Sequence, residues 1–256
     1  MIFLGISFFA TLVLILNASR LISSLLMRMV GTPLYFFIVW PGVVIHELSH
    51  FIGALITLTP IHGLSLTPEE GLKGELLLGK VVHESTSNPF KKVTISGAPF
   101  VGGSVALWVF LHALSGDATA PLITDALSGN LAGYTHAWWE FIKHMTLAFQ
   151  YTYWLHWIFV YCIFSISSQL APSWHDLKYT LIGIFEISIL ASVGALFLYV
   201  IGIHPSASIT LWFTKVVINS LVFFGLTAAV LFFIAALMSI TMLINTLARR
   251  IAGYSS

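Results

Sequence analysis

A His-Glu-x-x-His pentad, His46-Glu47-Leu48-Ser49-His50, interrupts the apolar stretch that runs from Thr32 to Ile56. On a helix, two histidines four residues apart project from one face and can grip a zinc ion, while the glutamate beside them can serve as general base. A carboxylate at membrane depth costs at least about 2.5 to 3.5 kcal/mol, so Glu47 needs a compensating partner, and a metal supplies one. Two histidines do not complete a catalytic zinc site, which ordinarily has three protein ligands and leaves the fourth position to water. Most of the ten acidic residues sit in polar stretches: Glu69, Glu70, Glu75, Glu84, Asp117 and Asp125. At or near membrane depth, Glu140, Asp176 and Glu186 are the carboxylates available besides Glu47. Asp176 stands out because it follows the polar, proline-containing break from Ser167 to His175, which can turn a side chain inward; His175 is an alternative donor.

The elements that must position these residues are membrane spans. The chain is 58% hydrophobic and only 8% charged, which excludes a soluble fold and points to an all-α polytopic membrane protein. Its net charge of +1, with no lysine- or arginine-rich stripe, argues against a nucleic-acid partner. Six stretches reach the roughly 20 apolar residues needed to cross a bilayer, at about 2–19, 33–58, 93–114, 145–166, 179–203 and 209–247. The first reads as a retained span, because it lacks a basic leader and a small-x-small cleavage site. The last is too long for one simple crossing, so it either continues beyond the membrane as a helix to Arg249-Arg250 or bends near Gly225. The polar interruptions are too short for an appended domain, so residues 1–256 read as one membrane domain. Its core lies at about 33–200, with extra spans at 2–19 and 209–247. Cys162 is alone and forms no internal disulfide.

Between 59 and 92 the polar and apolar residues alternate: Ile61 to Thr67, a Pro68-Glu69-Glu70-Gly71 turn, then Glu75 to His83. This predicts a small β-hairpin or sheet inserted after the helix that bears the pentad. Non-helical backbone at this depth must be received by protein or by a water-filled cavity, which places the hairpin against the bundle near the metal site. Taking six spans with the 59–92 loop inside, seven basic residues are cytoplasmic (Lys73, Lys80, Lys91, Lys92, Lys178, Arg249, Arg250). Four are outside (Arg20, Arg28, Lys143, Lys215), completing the eleven. Both termini are then cytoplasmic, with His50 nearer that side.

The order of these features resembles the site-2 protease family of intramembrane zinc metalloproteases. The pentad in an early span is followed by a β-like insertion and then by Ile95-Ser96-Gly97-Ala98-Pro99-Phe100-Val101-Gly102-Gly103, similar to the Gly-Pro segment that opens that family's next helix. Ser168 to Asp176 is similar to its later Asn-x-x-Pro...Asp-Gly motif, with Ser168 or Gln169 where the family has Asn and Leu177 where it has Gly. The resemblance covers roughly residues 33–200. It implies His46, His50 and Asp176 as Zn2+ ligands, Glu47 as base, and hydrolysis of peptide bonds in or near the transmembrane segments of membrane-protein substrates. Ser168 or Gln169 would then supply the hydrogen bond that Asn normally gives to substrate. Independently of the resemblance, a helical substrate must be unwound for cleavage, and an exposed edge such as Leu76 to Val82, with Leu76, Leu77 and Leu78, could hold it as an added strand. Two rival readings are a catalytically degenerate, chaperone-like scaffold and a metal or ion transporter. The inverted, paired broken helices that would favour transport are not visible in the sequence.

Overall fold

The computed structural model describes residues 2–67, 69–70, 76–115, 136, 139–140, 143, 153–171, 173–202 and 207–251. Helices α1 (Ile2–Val30) and α2 (Thr32–Ile56) are followed by strands β1 (Ile61–Ser65), β2 (Glu69–Glu70), β3 (Leu76–Leu77) and β4 (Lys80–His83). Then come helices α3 (Pro89–Ser115), α4 (Trp154–Gln169), α5 (Trp174–Val200) and α6 (Ala207–Ile251). The protein is an all-α polytopic membrane protein with a small antiparallel β insertion. Among the described residues, five helical segments are long and apolar enough to cross a membrane: Ala10–Val30, Leu34–Ile56, Pro89–Leu114, His175–Val200 and Thr227–Ala248. Of the span expected at 145–166, the part before 153 lies outside the described residues, and the rest belongs to α4. The long apolar stretch at 209–247 lies within a single helix, Ala207–Ile251.

Local chemistry explains the boundaries. Gly31 takes the left-handed φ of 76° that separates α1 from α2, and Pro33 follows in the first turn of α2. Within α2, Pro41 has no N–H to give to Phe37 four residues earlier, and the Phe37 carbonyl instead accepts from Tyr161 Oη of α4 at 2.7 Å. The adjacent Gly42 N–H donates to Ser165 Oγ, also at 2.7 Å. Helix α4 thus repairs the backbone of α2 where its proline opens it, as an apolar solvent requires. In the same way Ser19 Oγ of α1 receives the Ala171 N–H at 2.9 Å, just after α4 ends. Ile15, Ile22, Val39, Leu107, Ile166 and Leu231 form a fully buried core shared by α1, α2, α3, α4 and α6.

Helix α3 begins earlier than hydropathy suggests. Asn88 Oδ1 caps it by accepting the N–H groups of Phe90 at 2.9 Å and Lys91 at 3.4 Å, and Pro89 occupies the first turn. The Gly97-Ala98-Pro99 segment, expected to open a helix, therefore lies inside one. The insertion also differs from the simple hairpin expected, its pairing being divided between two short two-stranded sheets. Strand β1 pairs with β4 (Ser65 opposite Lys80), and beyond them β2 pairs with β3 (Glu69 opposite Leu77, Glu70 opposite Leu76). Glu69 and Glu70, assigned from sequence to the turn, are ladder residues paired with Leu77 and Leu76.

Helix α5 docks on α3. A Cβ on Gly183 would come within 2.7 Å of Val93 Cγ2 and 2.9 Å of the Pro89 carbonyl oxygen, so only hydrogen fits there. One turn further, both carboxylate oxygens of Glu186 receive Lys92 Nζ at 2.9 Å.

Candidate metal centre

The two histidines stand one above the other on α2, with ring centroids 5.1 Å apart. Each ring is fixed by a backbone carbonyl from another helix. His46 Nδ1 meets the Gln169 carbonyl oxygen at 3.0 Å, and His50 Nδ1 meets that of Ile95 at 2.8 Å. Because a carbonyl only accepts, Nδ1 carries the proton in both rings, which leaves the Nε2 lone pairs free. Both Nε2 atoms face one oxygen of Asp176: Oδ2 lies 3.8 Å from His46 Nε2 and 3.5 Å from His50 Nε2. Those separations exceed the usual 2.7 to 3.2 Å of N–H···O hydrogen bonds. They suit donors around one ion, since zinc bonds of 2.0 to 2.2 Å in a tetrahedron place neighbouring ligand atoms about 3.4 Å apart. The side chains of His46, His50 and Asp176 retain 14%, 11% and 13% exposure, little enough to strengthen electrostatics yet open to a water molecule. His46, His50 and Asp176 form a group that can hold a metal ion.

Asp176 reaches this place as the third residue of α5. Ser173 caps the helix by accepting the Asp176 N–H at 3.1 Å, and Asp176 Oδ2 accepts in return from the Ser173 N–H at 3.2 Å and hydroxyl at 2.6 Å. The cap and the ligand are one residue. Reading Asp176 as either a cap or a donor sets apart two roles that the capping box combines. The other carboxylates considered from sequence have partners elsewhere: Glu186 pairs with Lys92, and Glu140 pairs with Lys143 at 3.3 Å on the surface. His175 turns outward and packs on Tyr179.

Glu47, between the histidines in sequence, is buried and within electrostatic reach of His46, His50 and Asp176. The hairpin closes over it. A Cβ on Gly79 would approach Glu47 Cγ to 2.7 Å, and the Val81 backbone amide lies within interaction range of the carboxylate. A cavity of about 310 Å³ borders Asp176, walled by Lys80 to His83 on one side and by Ile95, Ser96 and Tyr179 on the other. Its wall carries Lys80, His83 and Lys92 beside apolar groups. A second cavity, of about 500 Å³, is almost wholly apolar and is lined by α2, α3 and α5 together with Leu12 of α1 and Phe224 of α6.

Of the residues assigned from sequence to substrate binding, Ser168 is buried and gives its hydroxyl to the Ser165 carbonyl at 2.7 Å. The Gln169 side chain donates to Tyr35 Oη at 3.3 Å, and its backbone carbonyl is the partner of His46. Leu76 and Leu77 form β3, and Leu78 packs against the core. Sequence reasoning missed Ser173, although Ser-x-x-Asp after a proline is a readable helix start. It also missed Gly79 and the carbonyls of Ile95 and Gln169, whose roles depend on contacts distant in sequence. Comparison with protein-family models, curated proteins and solved structures yields no match.

Proposed function

We propose that the protein is an intramembrane zinc endopeptidase of the site-2 protease type, cleaving peptide bonds in or near transmembrane segments of membrane proteins. The observation that carries this reading is the convergence of two proton-assigned histidines and Asp176, at the spacing of a tetrahedral ion, beside a buried glutamate within the bundle. His46, His50 and Asp176 would hold the ion. Bound zinc would supply Lewis acidity to the scissile carbonyl and bring the pKa of water towards about 7. Glu47 takes the water proton and hands it to the leaving amine. The hairpin offers the β4 edge beside Glu47 to an unwound substrate, which would bind there as an additional strand. With α4 counted as a sixth crossing, the lysine and arginine bias puts both termini and the nearer face of the site in the cytoplasm.

The test measures zinc stoichiometry and cleavage of a co-expressed single-span substrate. Glu47→Gln is expected to keep zinc and lose cleavage, and Asp176→Ala to lose or weaken both. A wild type that binds no zinc overturns the reading. A second reading, a metal-binding scaffold without hydrolysis, is favoured by one observation: the polar groups of Ser168 and Gln169 are engaged inside the bundle. Full zinc occupancy with no cleavage in the wild type would support it.

A further inference from the structure

Ile95 is four residues before Pro99 in α3, and in an uninterrupted helix its carbonyl would accept the N–H of residue 99. Proline has no N–H. The Ile95 carbonyl is thereby left available, and it is the oxygen that His50 Nδ1 meets at 2.8 Å. Ile95 is 1% exposed and His50 8%, so no bulk water stands ready to take either group's place. The same chemistry appears in α2, where Pro41 leaves the Phe37 carbonyl to Tyr161. In α3 the oxygen released in this way serves a ligand of the metal centre.

We infer that Pro99 is a positioning residue for the metal: by withholding a backbone N–H from the Ile95 carbonyl, it reserves that oxygen for His50 Nδ1 and keeps Nε2 unprotonated and aimed at the ion. The inference rests on the metal-site reading given above and adds a determinant outside the ligand set. A carbonyl already engaged by its own helix can still accept a second hydrogen bond, but it is a weaker and less well-directed partner. Loss of such outer hydrogen bonds typically lowers metal affinity about 10- to 100-fold.

The experiment uses the full-length protein in detergent micelles and measures the zinc dissociation constant by chelator competition. Pro99→Ala restores an N–H at position 99 and is expected to weaken zinc binding by about tenfold, the low end of the range for losing such a bond outright, because the carbonyl is shared and not removed. A second variant separates hydrogen bonding from helix shape. Lactic acid placed at position 99 by nonsense suppression has neither ring nor N–H, because an ester replaces the amide. It is expected to bind zinc as the wild type does. Wild-type affinity in Pro99→Ala overturns the inference. So does loss in both variants, whether through misfolding or weakened binding, because the proline would then act through the shape of α3. A wild type without zinc is read first and removes the metal site itself, whereas tight wild-type binding with unaffected Pro99→Ala removes only the role of Pro99.

Discussion

Helix α2 and helix α5 deliver ligands to the same point but are held in different ways. The helix of His46 and His50 packs on α3 along one side and α4 along another, and its backbone is repaired by Tyr161 and Ser165 where Pro41 opens it. The helix of Asp176 packs extensively only on α3 among the described elements, and most of its apolar side chains face outward. Two ligands are therefore built into the bundle between two neighbouring helices, while the third arrives on an element docked extensively on α3 alone among the described elements, with the close Gly183 contact and the Lys92–Glu186 ion pair in that interface. In such an arrangement metal affinity can be lost without loss of the fold. Metal binding should conversely stabilise the docking of α5, since an ion held by both helices links them.

The largest effect is expected where α2 meets α4. A Cβ at Gly42 would collide with the Ser165 carbonyl oxygen, so Gly42→Val must part the two helices and sacrifice the Gly42–Ser165 hydrogen bond. Overpacking of this kind costs about 1 to 3 kcal/mol, occasionally more, and the lost hydrogen bond adds to it. The expected result is a clear fall in thermal stability in detergent together with loss of zinc. The matching change on the other helix, Gly183→Val, should behave differently. It would drive α5 from Val93 and the Pro89 carbonyl, lowering zinc affinity at least about tenfold while the rest of the bundle melts near the wild-type temperature. If Gly183→Val unfolds the protein as completely as Gly42→Val, α5 is an integral part of the core and the contrast fails.

Next in size is the Lys92–Glu186 pair. Lys92 is the more enclosed member, with 13% side-chain exposure against 37% for Glu186. Removing the acid strands a lysine in a poorly hydrated place, whereas removing both leaves only apolar surface. Glu186→Gln is therefore expected to weaken zinc binding more than the double change Lys92→Met with Glu186→Leu. Chelator competition on the two proteins checks the order; equal losses would mean that the pair contributes attraction and no specific geometry.

The contrast between the helices also explains what could be read from sequence. His46, Glu47 and His50 share one helix, so a spacing of four was enough to place them on one face. Asp176 could be nominated because a proline-containing break precedes it, but its approach to α2 depends on Gly183, Lys92 and Glu186, which no local pattern links. The hydrogen bonds that orient the rings span 45 residues for His50 to Ile95 and 123 for His46 to Gln169, and they use backbone oxygens that carry no residue identity. Hydropathy located the spans but not their ends. At α3 the Asn88-Pro89 cap outweighed the more polar residues at 91 and 92 that made the apolar stretch seem to begin later. In the insertion, two glutamates next to a proline looked like a turn, yet they pair with Leu77 and Leu76 in a second two-stranded sheet, a pairing that the local turn signal does not reveal.

The smallest expected effect bears most directly on how Asp176 combines two duties. Ser173→Ala removes the hydroxyl that donates to Asp176 Oδ2 at 2.6 Å and accepts the Asp176 N–H at 3.1 Å. Loss of an N-cap costs about 1 kcal/mol, which by itself would fray the first turn of α5 and shift the carboxylate. A bound ion opposes that shift, because it attracts the same oxygen. The variant should thus show a modest loss of zinc affinity, no more than about tenfold, since roughly 1.4 kcal/mol corresponds to a factor of ten in affinity. Ser173→Thr, which keeps the hydroxyl, should restore binding. If Ser173→Ala instead binds zinc more tightly than the wild type, the serine competes with the ion for Oδ2, and the cap holds the ligand back from the metal.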